Sequence, residues 1–485
     1  MSAIDSNVNV GISNVSQDFE HNAKIVFFYG LGILLLLVAF QLLTIFMRPA
    51  AWIAWASMVL YLGFFVLSLK KTPVFFWLFF LFYFGQAAAI ISCAYLESGH
   101  YITEQAVFAS ATGATSRLVI YNLVFFLASL VIITPFIRNP AHSVDLSKTI
   151  SDRSVWTICL VISVLLATLY AGLYVYGVPL FEGIDRFEYW LNHPNPIFRT
   201  LGGQIFLLMF LLGILFSCSK RRIYLFLLFG VCIYLILQGG KFSGMFLVGY
   251  FFLLPVFITK AVTGEMQFSL KKIGMYTAII ATVILSLLYY HYSEIYNAPE
   301  STVVDAIFNR ALGLQGHVWW GTDVEVMNRS GLVDVDQLGR EFSSFISFSS
   351  AEEDVGIKYL MSLIAPPHIA NAFLDKGVVF TMGYPAIGLY IFGYVGLVIF
   401  QVMVAGIVVP AAVYVYRKLA RRQLIRAAVA IKIFIDVYGA FTVGAFYLLF
   451  SPKVLMYILV AFAIEGFIFM GNRAIMRQEL IKTIK

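Results

Sequence analysis

Charge is scarce in this sequence: Asp, Glu, Lys and Arg make up 12% of 485 residues, against 61% hydrophobic. A soluble globular chain carries about 25% charged residues, so that class is excluded. Cysteine is scarcer still. Cys93, Cys159, Cys218 and Cys232 sit within apolar runs or at their ends, so no disulfide framework and no metal-ligand spacing is expected. The chain has no phosphate-cradling P-loop, no Gly-x-Gly-x-x-Gly opening a βαβ unit and no His-Glu-x-x-His. Neither a cofactor nor a metal is therefore expected. No internal repeat, low-complexity tract or detachable soluble domain is visible.

What the sequence does have is long apolar runs. A helix needs about 20 apolar residues to cross a bilayer. On that scale the chain reads as an all-α polytopic membrane protein of about 12 transmembrane helices: 25–46, 52–69, 73–95, 118–137, 155–176, 201–218, 223–237, 245–258, 273–293, 385–416, 427–450 and 453–471. The first run is too long for a signal-peptide core and is expected to be retained. With the N-terminus cytoplasmic, 21 of the 33 Lys and Arg fall in inside segments and 11 outside or at the outer edge of a span, while 17 of the 26 Asp and Glu lie outside. The positive-inside rule thus favours both termini in the cytoplasm, 1–24 and 472–485 forming tails. This asymmetry accounts for the net charge of +7, and nucleic acid is not expected as a partner.

Outside, the expectation is a loop over 177–199, between helices 1–9 (25–293), and a large loop over 294–384, before helices 10–12 (385–471). The large loop carries short amphipathic helix signals at 302–311, 336–345 and 354–363, broken by Pro366-Pro367. The span from 385 is long enough that it must tilt or project.

Gln238-Gly-Gly-Lys241-Phe-Ser-Gly244 separates two short apolar runs and draws Lys241 to membrane depth or its edge. An ionisable residue there needs a partner or a task. Flanking glycines and the N–H groups opening the next helix favour an anion, and a turn with a snorkelling lysine is the plain alternative. Arg186, Arg199 and Arg310 fall on the same expected face, and such cations can grip phosphate oxygens without metal. Interface anchoring and loop salt bridges, as of Arg186 with Asp185 or Glu182, are the alternative. Proton acceptors on that face are Asp185, Glu188, His317 and Asp323, with His317 preferred. Lys432 and Asp436 are spaced to pair on one helix, and Glu465 lies in the last span; a proton-coupled transporter would use such groups.

Several stretches resemble the bacterial O-antigen polymerases: Gly177-Val-Pro-Leu-Phe-Glu-Gly183 with Ile-Asp185-Arg186-Phe-Glu-Tyr, Gly-Gly-Lys241-Phe-Ser-Gly, Arg310 with Leu-Gln315-Gly-His-Val-Trp-Trp, and Phe380-Thr-Met-Gly-Tyr-Pro385. The span count and two external loops are similar as well. Such polymerases carry an arginine, ten residues and a glycine in each loop. Arg310 and Gly321 fit that spacing; Arg186 departs from it, since Ile197 stands at the matching position.

The resemblance implies a metal-independent glycosyltransferase of the inner membrane. It would join undecaprenyl-pyrophosphate-linked oligosaccharides into O-antigen or a related surface polysaccharide at the periplasmic face. Its partners would be those lipid-linked glycans, membrane lipid and a chain-length regulator protein. On that expectation Arg186, Lys241, Arg310 and Arg199 meet pyrophosphate and His317 or Asp185 receives a proton. Tyr189, Trp190, Trp319 and Trp320 stack on sugars. An O-antigen ligase, or a 12-helix polysaccharide flippase or secondary transporter, is the alternative.

Overall fold

The computed structural model describes residues 2–43, 49–137, 150–182, 189, 195–239, 242–263, 275, 282, 285–286, 289, 312–329, 333–347, 355–375, 377–380 and 382–466. Asp185, Arg186, Trp190, Lys241 and Arg310, the amphipathic segment 302–311 and most of the span 273–293 lie outside the described residues.

The described chain is helical apart from one two-stranded hairpin. Among the described residues, seven helical segments are long and apolar enough to cross a membrane. They are Asp18–Leu43, Ala51–Lys71, Ala114–Ile137, Asp152–Glu182, Pro196–Ser219, Gly244–Val262 and Ala386–Ala420; the apolar helices Phe80–Leu96 and Arg222–Leu237 are shorter. In chain order the elements are α1 (Ser2–Leu43), α2 (Ala51–Lys71), α3 (Pro73–Leu78), α4 (Phe80–Leu96), β1 (Tyr101–Ile102), β2 (Val107–Phe108) and α5 (Ala114–Ile137). Next come α6 (Asp152–Tyr176), α7 (Pro179–Glu182), α8 (Pro196–Gly202), α9 (Ile205–Ser219), α10 (Arg222–Leu237) and α11 (Phe242–Val262). The C-terminal part holds α12 (His317–Asn328), α13 (Val335–Ser347), α14 (Gly356–Ile364), α15 (Pro367–Asp375), α16 (Ala386–Ala420), α17 (Leu424–Val443) and a last helix over 452–466.

Three boundaries differ from those read in the sequence. The polar segment expected as an N-terminal tail continues the first apolar run as helix from Ser2. The run 73–95 breaks at Phe79 into α3 and α4. The long span from Ala386 is two arms that meet at Gly393, whose backbone is non-helical at φ 64° and ψ −173°. The Phe392 and Phe400 rings stack at 5.1 Å, and the Tyr384 hydroxyl donates to Gln401. In a straight helix residues 392 and 400 would stand about 12 Å apart along the axis. The chain therefore folds back at Gly393, and 394–420 is the long arm. Only glycine adopts this backbone region at little cost.

Packing divides the apolar residues into two clusters. The larger joins α1–α5 with α12, α14, α16 and α17, and is rich in rings such as the stacked Tyr83–Phe126 pair at 3.9 Å. The smaller joins α6 and α10. The helices α9 and α11 contribute to both and pack closely on each other. On α6, Trp156, Leu160, Val164 and Tyr174 point outward, the surface a lipid-facing helix presents.

The end of α4 and the starts of α2 and α5 share one end of the bundle, since the Trp55 indole donates to Ser98 at 2.9 Å and the Ala114 N–H donates to Glu97 at 3.1 Å. At the opposite end Arg417 sits over Phe136, and Lys418 and Arg426 lie 2.5 and 3.6 Å from Glu465. Asp436 pairs at 2.7 Å with Lys453 across helices, rather than with Lys432 one turn away as its spacing implies. Both carboxylates thus have cationic partners in the fold.

Candidate functional site

The end of the bundle at which α5 begins is built around buried polar groups. Glu97, at the end of α4, is enclosed, and its carboxylate accepts from four backbone N–H groups that precede or open α5. They are Thr112 (2.7 Å), Gly113 (2.6 Å), Ala114 (3.1 Å) and Thr115 (2.9 Å). An anion there satisfies orphan donors and meets the positive end of the helix. One turn on, Arg117 makes a bidentate pair with Asp323 of α12, 2.8 Å from Nε to Oδ1 and 2.5 Å from Nη2 to Oδ2. Its remaining donors reach Gln41 of α1 at 3.0 Å and the Thr112 carbonyl at 2.9 Å. The Tyr394 hydroxyl of α16 donates to Asp323 at 3.3 Å. Four helices are thereby tied to one ion pair.

Asp323 is fully buried. Burial pushes its carboxyl above the usual range, and the Arg117 guanidinium pulls it back. Breaking such a pair leaves a charge with no counter-ion in a dry site.

The same α12 carries the residues singled out in the sequence. Gly316, just before it, donates its N–H to Ser92 Oγ at 2.8 Å, and Ser92 donates to the Gly313 carbonyl at 2.8 Å. This pins the helix start to α4. Trp319 and Trp320 are only 2% and 5% exposed, and their indole N–H groups donate to the carbonyls of Ala114 (2.8 Å) and Ser110 (3.1 Å). In the fold these rings fill the junction between α12 and α5. Tyr189 is likewise buried, in the smaller cluster. Gly321, read as part of the arginine–glycine spacing, has a packing reason of its own. A Cβ there would lie 2.6 Å from Gln105 Nε2.

His317 opens α12 and is 1% exposed. Its Nδ1 lies 2.8 Å from the Leu314 carbonyl, so the Nδ1–H tautomer is favoured and Nε2 carries the lone pair. Nε2 has no hydrogen-bond partner among the described residues. Burial holds the imidazole below its ordinary pKa, against a smaller upward pull from Glu104 and the Leu314 carbonyl. The ring meets Phe380 edge-on at 4.7 Å, and Phe380 meets Phe373 of α15 at 5.3 Å. The Gln105 side chain donates to the His317 carbonyl at 2.8 Å, which anchors the β1–β2 turn over this residue.

The Gly393 fold-back is held at the same end. Arg329 lies over the Tyr390 ring at 4.0 Å and donates to the Tyr390 carbonyl at 3.1 Å and to Asp334 at 2.9 Å. Asp334 in turn donates its N–H to the Ile391 carbonyl at 3.1 Å and caps α13 through Gln337 N–H. Arg199 is elsewhere, exposed on α8. Among the described residues no group of His, Cys, Asp and Glu could hold a metal ion.

Of the expected site, then, His317, Trp319, Trp320 and Asp323 share one helix, while Arg199 and Tyr189 stand apart on the smaller cluster's elements. Sequence reasoning passed over Arg117, Glu97, Gln41 and Gln105. Arg117 is the one Lys or Arg from residue 72 to residue 137, and a single cation opening an apolar helix is the signal that marks it.

Residues 350–458 match a family described as "Family of unknown function (DUF6418)". That stretch includes α14, α15, the Gly393 fold-back and α17. No curated protein and no solved structure matches the chain.

Proposed function

We propose that the protein is a polymerase of lipid-linked oligosaccharide repeat units, acting at the periplasmic face of a bacterial inner membrane through about twelve crossings with both termini cytoplasmic. The acceptor's terminal sugar hydroxyl attacks the anomeric carbon of the donor glycan. The new C–O bond forms as the bond to undecaprenyl pyrophosphate breaks, and the leaving oxygen takes the electron pair. Lys241, Arg186 and Arg310 meet the growing negative charge of the diphosphate, and the hydroxyl proton passes to His317 or Asp185. Fixed positive charge at the leaving group lowers such a barrier most when it is in place beforehand.

The observation that carries this reading is His317: a neutral imidazole with its Nδ1 anchored and its Nε2 unpartnered among the described residues, at the end of an apolar bundle. A general base needs that protonation state at neutral pH. Enclosure is the cost of the low pKa, so the Phe380 ring must swing away for Nε2 to meet substrate.

Lipopolysaccharide banding tests the reading. Deletion should leave capped single-repeat chains, and His317→Ala should do the same with the protein still inserted. Loss of all attached glycan on deletion points to a ligase or flippase instead. Unchanged long-chain ladders contradict the proposal. A transporter is the less supported alternative, because Glu465 and Asp436 both sit beside cations in the fold.

A further inference from the structure

A groove of about 370 Å³ lies at the same end of the molecule, lined by Thr103, Glu104, His368, Ile369, Ala372 and Phe373. Its two walls are the β1–β2 turn and α15. The turn is rigid for its size: Tyr101 pairs with Phe108 and Ile102 with Val107, and Gln105 plugs inward onto the His317 carbonyl. Fixing Gln105 inward leaves its neighbour Glu104 at the groove. There Thr103 Oγ1 donates to Glu104 Oε2 at 2.7 Å. The opposite wall is anchored by buried Ala370, and Phe373 reaches back through Phe380 to the His317 ring. The groove and the buried imidazole are thus two sides of one aromatic partition.

The lining selects its ligand. It holds a carboxylate, a hydroxyl, an imidazole and an apolar wall with one aromatic ring, and among the described residues no lysine or arginine. A diphosphate would meet an uncompensated Glu104 there and be repelled. A pyranose suits it: ring hydroxyls donate to the carboxylate and exchange hydrogen bonds with Thr103 and His368, while the C–H face packs on Phe373. The volume falls in the range of small-molecule sites.

We propose that this groove receives the terminal, non-reducing sugar of the acceptor glycan, with Glu104 orienting its hydroxyls and Phe373 supporting its apolar face. This rests on the polymerase reading. It separates the acceptor, held here by a carboxylate, from the donor diphosphate, held by the cations of the other loops. Withdrawal of Phe380 would then expose His317 to the bound sugar from behind the groove wall.

The test uses the full chain in cells. Ala372→Cys places a thiol on the exposed groove wall for a membrane-impermeant maleimide. Labelling should be several-fold slower in cells that make lipid-linked repeat units than in cells blocked at the first sugar-phosphate transfer. Glu104→Gln and Phe373→Ala should shorten the polymer ladder at unchanged membrane levels of protein. Equal labelling in both strains, or wild-type ladders from both variants, overturns the groove assignment alone if deletion still abolishes polymer. A deletion strain with normal polymer overturns the reading beneath it as well.

Discussion

The two apolar clusters are held in different ways. The larger contains a buried ion pair, Arg117–Asp323, whose side chains are 14% and 0% exposed. The smaller is bordered by Arg221–Asp152, at 47% and 79%. The first joins residues 206 apart in sequence, and its hydrogen bonds draw in α1, α12 and α16. The second tethers the start of α6 to the start of α10 in contact with solvent. Chemistry that needs fixed geometry belongs beside the first, and the residues matched by the family of unknown function contribute to that larger cluster. Two of the expected phosphate and sugar contacts, Arg199 and Tyr189, belong to the elements of the smaller one.

The sharpest way to break this contrast is to remove one partner from each pair. Asp323→Ala should destabilise the protein by about 3–5 kcal/mol, because Arg117 is left without its counter-ion. Thermal unfolding in detergent would show this as a large fall in Tm or as loss of folded protein. Asp152→Ala should leave Tm unchanged within error, as exposed pairs contribute little. Equal effects would mean that the two regions are held alike.

A second difference is in pH response. Glu341 of α13 is buried, and burial pushes its carboxyl up to about 7 despite hydrogen bonds from the Gly356 N–H and Gln337. The folded state therefore keeps a proton that the unfolded state gives up. Glu341 should thus make stability fall as pH rises from the unfolded value of about 4.3 through 7, with the full loss present above that. Glu341→Gln keeps an acceptor for Gly356 and should flatten the decline in Tm between pH 5.5 and 8. A slope identical to wild type would remove Glu341 as its cause.

Smaller effects sharpen the picture. Gly393→Ala forces a Cβ into a backbone region kept for glycine and should cost about 1–3 kcal/mol. Its check is the Tm together with loosened proteolytic protection of 385–393. Gln105→Ala removes the anchor of the β1–β2 turn and should cost about 1 kcal/mol. Its clearer readout is faster maleimide labelling of a cysteine placed at Thr103. Activity should follow the neutral form of His317. The rate should therefore persist as pH falls below the ordinary histidine range, and decline only at lower pH.

The helices were legible because apolar run length and amphipathic periodicity are local signals: α2, α5, α6 and α10 begin and end within a few residues of the apolar runs, and α13 and α14 within a few residues of the amphipathic signals. The turn before α11 was legible for the same reason, with α10 ending at Leu237 and Gly239 at φ 69°. What escaped is non-local. Arg117 and Asp323 are an ordinary cation and an ordinary loop acid until the fold brings them together. Gly393 sits between two apolar arms that share one hydropathy profile, so a reversal and a long tilted helix look identical in sequence. Trp319 and Trp320 have the composition of interfacial aromatics, and only the carbonyls of Ala114 and Ser110 explain why they are buried. His317 was legible as a residue type, but its tautomer and enclosure were not.

Reconstitution tests the central proposal most directly. Purified protein in liposomes would be given a lipid-linked repeat unit isolated from its own host, with no nucleotide sugar added. The proposal predicts glycans of two, three and more repeats on the lipid carrier, with free undecaprenyl pyrophosphate released and the products absent for His317→Ala. Recovery of the single repeat unit alone, or its translocation without extension, would contradict it.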